Sequence, residues 1–86
     1  MLNQHYASSS FSLKRLQIGE QGVVSELGKV GDLSIQKLRS LGIHLGTSIT
    51  VEQRFPRFMV SIRGDRVVLS DDLIPAIFVR VVGHAN

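Results

Sequence analysis

The stretch LRSLGIHLGTSITV, residues Leu38–Val51, contains two glycines, Gly42 and Gly46, and the spacing of its apolar residues changes between them. Apolar residues three apart precede Gly42 and predict a helix, whereas alternating apolar residues follow Gly46 and predict a strand. We expect Gly42 to end the helix in the left-handed conformation and Gly46 to bend the chain into the strand, because glycine adopts positive φ without steric cost. The apolar residues concerned are Ile35, Leu38 and Leu41, and then Ile49 and Val51.

The rest of the chain predicts a mainly β fold. Alternating apolar residues indicate strands at 21–27, 57–63, 64–70 and from residue 77 onward, with a helical turn at 73–76 before the last strand. Val24 and Leu27 are three apart, which indicates a bulge in the first strand. Asp32 or Ser34 is the expected helix cap. About five short strands with one short α-helix favour a small β-barrel, because an open sheet would expose its edges.

The same alternation separates inward from outward side chains. The residues expected in the core are Phe11, Leu13, Leu16, Phe58, Val60, Ile62, Val67, Leu69, Ile77, Val79 and Val81. Their neighbours Met59, Val68, Phe78 and Val82 are expected to point outward. Apolar side chains grouped on adjacent strands are typical of a docking surface. In a protein of this size they could equally form a secondary core under the helix or the tail. We take Met59, Val68 and Phe78 as candidate partner-binding residues and leave this alternative open.

Composition narrows the class of protein. The chain has 86 residues, which is enough for one small domain, with a net charge of +3 spread along the chain and no cysteine to form disulfides or thiolate metal sites. The polar segment at 1–10 is expected to be a flexible tail and residues 11–83 a folded domain. The first residues lack the basic and apolar regions of a signal peptide, so we do not expect one there, and no apolar run reaches membrane-spanning length. We expect a cytoplasmic protein that does not insert into the membrane.

Residue patterns for catalysis or for ligand binding are incomplete. The stretch GVVSELGKV has the wrong glycine spacing for a phosphate-binding loop and has Val30 where a serine or threonine is needed. His5, His44 and His84 stand singly, without a partner at the spacing of metal ligands. We expect no enzymatic activity, no catalytic residue, no cofactor and no metal site.

The segment RFPRF, residues 54–58, places Arg54 and Arg57 beside aromatic residues. Basic and aromatic side chains at a hairpin tip could stack nucleic-acid bases. The alternative is a turn whose Phe58 lies in the core and whose arginines add positive charge to a protein-docking surface. We favour the second interpretation, expect no nucleic-acid binding, and include Arg54 and Arg57 among the candidate partner-binding residues.

Four segments carry a family resemblance: LKRLQIGEQGVV at 13–24, KLRSLGIHLGTSITV at 37–51, VSIRGDRVVL at 60–69 and IFV at 77–79. Together they resemble the ferrous iron transport protein A (FeoA) family. The resemblance implies an SH3-like barrel at 11–83 and a non-enzymatic accessory role in bacterial ferrous iron uptake. The implied partner is the cytosolic GTPase part of the membrane iron transporter, and a second copy of the chain is a further candidate partner.

The sequence departs from the family at the QRFPRF segment, residues 53–58, which is shorter than the usual loop, and at Leu45, where the family often has proline. Two other functions stay open at this point. One is nucleic-acid binding by a small basic barrel, and the other is a regulatory domain in a metal-dependent repressor system.

Overall fold

A computed structural model describes residues 10–28 and 30–84, so most of the expected tail at 1–10 lies outside the described residues. Its strands form a six-stranded sheet in the order β1-β6-β2-β3-β4-β5, and every neighbouring pair is antiparallel. The strands are β1 Phe11–Ser12, β2 Glu20–Leu27, β3 Ser48–Gln53, β4 Phe58–Ile62, β5 Asp65–Leu69 and β6 Ile77–His84. The helix α1 spans Asp32–Ser40, and short 3₁₀ turns cover Leu13–Arg15 and Ile74–Ala76.

The predicted mainly β fold is confirmed, including the single short α-helix and the helical turn before the last strand. The described residues form one strand more than expected. The additional strand is β1, which pairs with β6 through only Phe11 and Ser12. Two residues are too few to show an alternating pattern, so nothing local marks this strand. It is a strand only because it pairs with β6.

The core lies between the sheet, α1 and the two 3₁₀ turns. Fifteen buried side chains form one cluster: Leu13, Leu16, Val24, Leu38, Ile43, Ile49, Val51, Phe58, Val60, Ile62, Leu69, Leu73, Ile74, Ile77 and Val79. Three expected core residues are not part of it: Val67 is half-buried and packs against the cluster, and Phe11 and Val81 are more exposed. Phe11 is 37% exposed because it lies on the edge strand β1, and Val81 is 38% exposed in the half of β6 that extends past the core.

The end of α1 is a Schellman motif. The Gly42 N–H donates to the Arg39 carbonyl at 2.9 Å, and the Ile43 N–H reaches back to the Leu38 carbonyl at 2.9 Å. Gly42 has a φ of +86°, the left-handed conformation that this motif requires. Leu38 and Ile43 are both fully buried, so the motif also closes an apolar contact.

The start of α1 differs from the expectation. Gly31 is the N-cap residue and no side chain caps the helix there. Asp32 instead lies inside the first turn, where its negative charge still interacts favourably with the helix dipole.

The pairing of β2 with β6 is irregular in two places, between Gln21 and Gly22 and between Val24 and Glu26. The second irregularity confirms the bulge predicted from the spacing of Val24 and Leu27. At the first, the backbones approach so closely that a Cβ atom on Gly22 would lie 2.8 Å from the Cβ atom of Val79. Because Val79 Cβ is attached directly to the backbone, it cannot rotate away.

Gly22→Ala is therefore expected to lower the free energy of unfolding by about 1–3 kcal/mol, the usual cost of overpacking a core. Denaturant unfolding of the purified protein measures this loss. Gly28→Ala is the matched control, since the heavy atoms nearest to its Cβ position, in Ala76 and Phe78, lie at ordinary contact distances of 3.5–3.7 Å. Equal stability of the two variants would contradict the close approach of β2 and β6.

Candidate partner-binding surface

The loop between α1 and β3 is held by Thr47, a buried polar residue that the sequence analysis did not single out. Its hydroxyl donates to the Gly42 carbonyl at 3.1 Å and accepts from the His44 N–H at 3.1 Å. The loop is also bound to β2, because the Val24 N–H donates to the Thr47 carbonyl and the Gly46 N–H to the Val24 carbonyl, both at 2.8 Å. Gly46 has a φ of +92° at this bend. The end of α1 is thus fixed against the sheet.

A groove of about 390 Å³ lies between α1 and the β4–β5 hairpin. Its lining residues are Lys37, Leu41, Pro56, Arg57, Phe58, Val68, Leu69, Ser70, Asp71 and Leu73. The position of the groove follows from the fixed end of α1, because Lys37 and Leu41 come from the last part of the helix and the residue after it. We call it the helix groove. Its lining combines apolar side chains with the charged side chains of Lys37, Arg57 and Asp71.

Three of the predicted partner-binding residues lie together on the β4–β5 hairpin, and two of them line the helix groove. Arg57 and Val68 both line it, and Met59 is directly opposite Val68 in the β4–β5 register. Val68 is 46% exposed, Arg57 is exposed and Met59 is half-buried. Directly opposite side chains on neighbouring strands are close enough to form one contact surface. We call Arg57, Met59 and Val68 the β4–β5 patch.

Arg54 binds within the chain itself. Its Nη1 donates to the Lys14 carbonyl at 2.8 Å and to the Leu16 carbonyl, and its guanidinium carbon lies 5.8 Å from the centre of the Phe58 ring. These contacts join the β3–β4 loop to the first 3₁₀ turn. The guanidinium of Arg54 is therefore occupied by structural contacts, whereas that of Arg57 faces solvent beside the helix groove.

Phe78 lies in another part of the sheet. It is half-buried and pairs with Ser12 of β1 and Glu26 of β2. Its ring is beside Gly28: a Cβ atom added to that glycine would lie 3.7 Å from Cε1 of the ring. Strands β2 and β3 separate β6 from β4. Phe78 is therefore not part of the β4–β5 patch.

Charges of both signs surround the helix groove. Asp71 lines it with Lys37, and Asp72 follows directly. A hydrogen bond from Ser70 lowers the pKa of the Asp72 carboxyl, with help from the Asp72 backbone N–H and the positive charge of Lys37. Asp72 is therefore ionised at neutral pH. The edge of the groove is polar and mixed in sign, which is typical of the rim of a protein interface.

Within residues 10–28 and 30–84, His and acidic side chains do not gather in groups of three or more that could hold a metal ion. The single α-helix described there is far shorter than the length needed to cross a bilayer.

Comparison with known proteins identifies the family. Residues 11–81 match the model of the FeoA domain. The chain belongs to the FeoA domain family. A Leptolyngbya boryana relative that bears the name of Fe(2+) transport protein A is 55% identical over 71 residues, covering 81% of this chain and 87% of the relative.

Solved structures of FeoA proteins share the fold. An iron uptake regulatory protein (FeoA) aligns with a TM-score of 0.77 and 26% identity, over 86% of this chain and 99% of the other. Stenotrophomonas maltophilia FeoA, described as a prokaryotic SH3 domain protein and crystallised with zinc, aligns with a TM-score of 0.73 and 19% identity, over 87% and 99% of the two chains. The SH3-like fold expected from the resemblance is thereby confirmed.

The structural role of Arg54 can be separated from partner binding. Arg54→Ala is expected to lower the free energy of unfolding by about 1.5–3 kcal/mol, because hydrogen bonds from a charged donor to two carbonyls are lost. Arg57→Ala, three residues along the same loop, is expected to change it by less than about 0.5 kcal/mol. Denaturant unfolding measures both. If Arg54→Ala leaves the free energy of unfolding unchanged, the first 3₁₀ turn is held by other contacts.

The hydrogen bonds of Thr47 can be tested in the same way. Thr47→Val keeps the shape of the side chain but leaves the His44 N–H and the Gly42 carbonyl without their partner, which typically costs about 1–3 kcal/mol. Thr50→Val on the outward side of β3 is the control, and we expect it to be close to neutral. If both variants melt at the same temperature, the hydroxyl of Thr47 does not hold the loop.

Proposed function

We propose that this protein is a non-enzymatic accessory factor of bacterial ferrous iron uptake that binds the cytosolic GTPase part of the membrane iron transporter. The proposal rests on membership of the FeoA family and on the 55% identical relative named for Fe(2+) transport. The observation that carries it is the helix groove with the adjoining β4–β5 patch. Val68, an apolar side chain that lines this groove, remains 46% exposed in the folded domain.

The mechanism we propose is binding without chemical transformation. The apolar lining of the helix groove would accept one or two side chains of the partner, and Met59 and Val68 would extend the contact along the sheet. Interfaces of this kind depend on a few apolar anchors surrounded by a polar rim. A module that binds one conformation of a GTPase more tightly than another shifts the partner toward that conformation.

A docking role fits the distribution of charge better than nucleic-acid binding does. Arg54 is held by the carbonyls of Lys14 and Leu16, so Arg57 is the only arginine of the RFPRF segment whose guanidinium is free to contact phosphate. Asp71 lies in the same groove and would repel phosphates. Affinity for nucleic acids depends mainly on several phosphate contacts acting together. We therefore propose a protein partner and a cytoplasmic location beside the membrane transporter.

Val68→Lys is expected to weaken binding to the purified GTPase domain of the transporter by tenfold or more, because it places a charge in an apolar contact. Met59→Ala should also weaken binding, because it removes the apolar side chain directly opposite Val68. Isothermal titration calorimetry measures the affinities, and thermal melting shows that the variants fold.

Val82→Lys is the matched control, since Val82 is 54% exposed on β6, which strands β2 and β3 separate from the patch. It should leave the affinity unchanged. If Val68→Lys and Val82→Lys bind equally well, the β4–β5 patch is not the interface. Salt-sensitive binding to single-stranded RNA that disappears in Arg57→Ala would favour nucleic acid instead.

A further inference from the structure

A second concave site lies at the opposite end of the β4–β5 hairpin. The α1–β3 loop and the hairpin turn at 63–64 face each other across the start of β3, leaving a cleft of about 430 Å³. This cleft has no lining residue in common with the helix groove. It is therefore a separate site that the proposed docking function does not use.

Hydrogen-bonding side chains surround this cleft. Gln21, Thr50 and Ser61 lie side by side across β2, β3 and β4, because Thr50 pairs with Gln21 on one side and with Ser61 on the other. Ser48 adds a hydroxyl from the start of β3, and His44 and Arg63 line the cleft from the two loops. No lining residue carries a carboxylate. A site rich in donors and without carboxylates is suited to an anion.

The His44 side of the cleft is held in place by the protein. His44 Nδ1 lies 3.1 Å from the Leu45 carbonyl, and the His44 N–H donates to the Thr47 hydroxyl. The Thr47 N–H in turn donates to the His44 carbonyl at 3.0 Å. Because these contacts already exist, little conformational entropy would be lost when a ligand is bound.

The Arg63 side of the cleft contains backbone strain. Arg63 has a φ of +54°, and it is the single non-glycine residue in the described part of the chain with positive φ. Gly64 follows with a φ of +86°, which makes a type I′ turn. Asparagine and glycine are strongly preferred at the position of Arg63 in such turns. Non-glycine residues in this conformation cluster at ligand-binding and other functional sites.

The guanidinium of Arg63 makes no hydrogen bond to another residue within the described ranges, so the fold gains nothing from it there. Its planar donors match two oxygens of a phosphate group. We propose that the cleft is a binding site for a phosphate-class oxyanion, held by Arg63 and oriented by the hydroxyls of Thr50 and Ser61. The oxyanion would be either free inorganic phosphate or the phosphate group of a nucleotide.

The test uses Arg63→Asn in the full chain. Asparagine suits the left-handed backbone, so this variant should melt a few degrees higher than the parent protein. It should also lose at least tenfold in affinity for inorganic phosphate, measured by NMR titration at constant ionic strength against chloride. A purely structural arginine would not give both changes together. Arg80→Ala is the control and should bind phosphate like the parent, because Arg80 is exposed on β6 and lines neither the cleft nor the helix groove.

The titration has arms that separate the two sources of phosphate. Tighter binding of guanosine triphosphate than of inorganic phosphate, with loss of both in Arg63→Asn, would support a nucleotide phosphate as the ligand. Equal affinities would support free phosphate. Shifts that do not saturate, that chloride reproduces, or that persist unchanged in Arg63→Asn would overturn the proposal. The outcome of these phosphate titrations does not depend on whether the transporter binds the β4–β5 patch.

Discussion

Two hydrogen bonds between Val24 and the α1–β3 loop hold the parts of this fold together. They join the middle of β2 to Gly46 and Thr47, both at 2.8 Å. The Thr47 hydroxyl extends the connection to Gly42 at the end of α1. Without this junction the helix would be tied to the sheet only through its apolar side, which for a helix of nine residues is a weak constraint. Both concave sites depend on it, since one is lined by the end of α1 and the other by the loop itself.

The two sites lie at opposite ends of the same hairpin and differ in chemistry. The helix groove combines apolar side chains with a rim of mixed charge, whereas the cleft at the hairpin turn has polar groups and two basic side chains. Strands β4 and β5 pair without a bulge over five residues each, so the hairpin is a regular connection between them. A partner bound at one end and an anion at the other would therefore both contact one continuous, rigid element of the FeoA domain.

The RFPRF segment shows how tertiary contacts give different roles to similar residues. Arg54 and Arg57 are three residues apart and were assigned to the same surface from the sequence. In the structure, the carbonyls of the first 3₁₀ turn bind Arg54, while Arg57 remains exposed at the helix groove. The contact of Arg54 with Lys14 spans 40 residues, and no local pattern in either segment indicates it.

The sequence by itself determined the features that depend on local spacing. Alternating apolar residues marked β2 to β6, Gly42 marked the end of α1, and the unequal spacing at Val24 marked a bulge. These features follow from backbone conformation and from the side-chain period of each element. The family, too, could be read from the segments around Gly42 and Gly46, because their residues are closely spaced along the chain.

Only the tertiary structure decided which elements are neighbours. Alternation placed Met59, Val68 and Phe78 on the outward side, but the strand order brought the first two together and left Phe78 beside β1 and β2. The exposure of Phe11 and Val81, the short strand β1 and the hydrogen bonds of Thr47 likewise depend on where another segment lies. A periodic pattern indicates which way a side chain points from its strand, but the pairing of distant segments determines what that side chain meets.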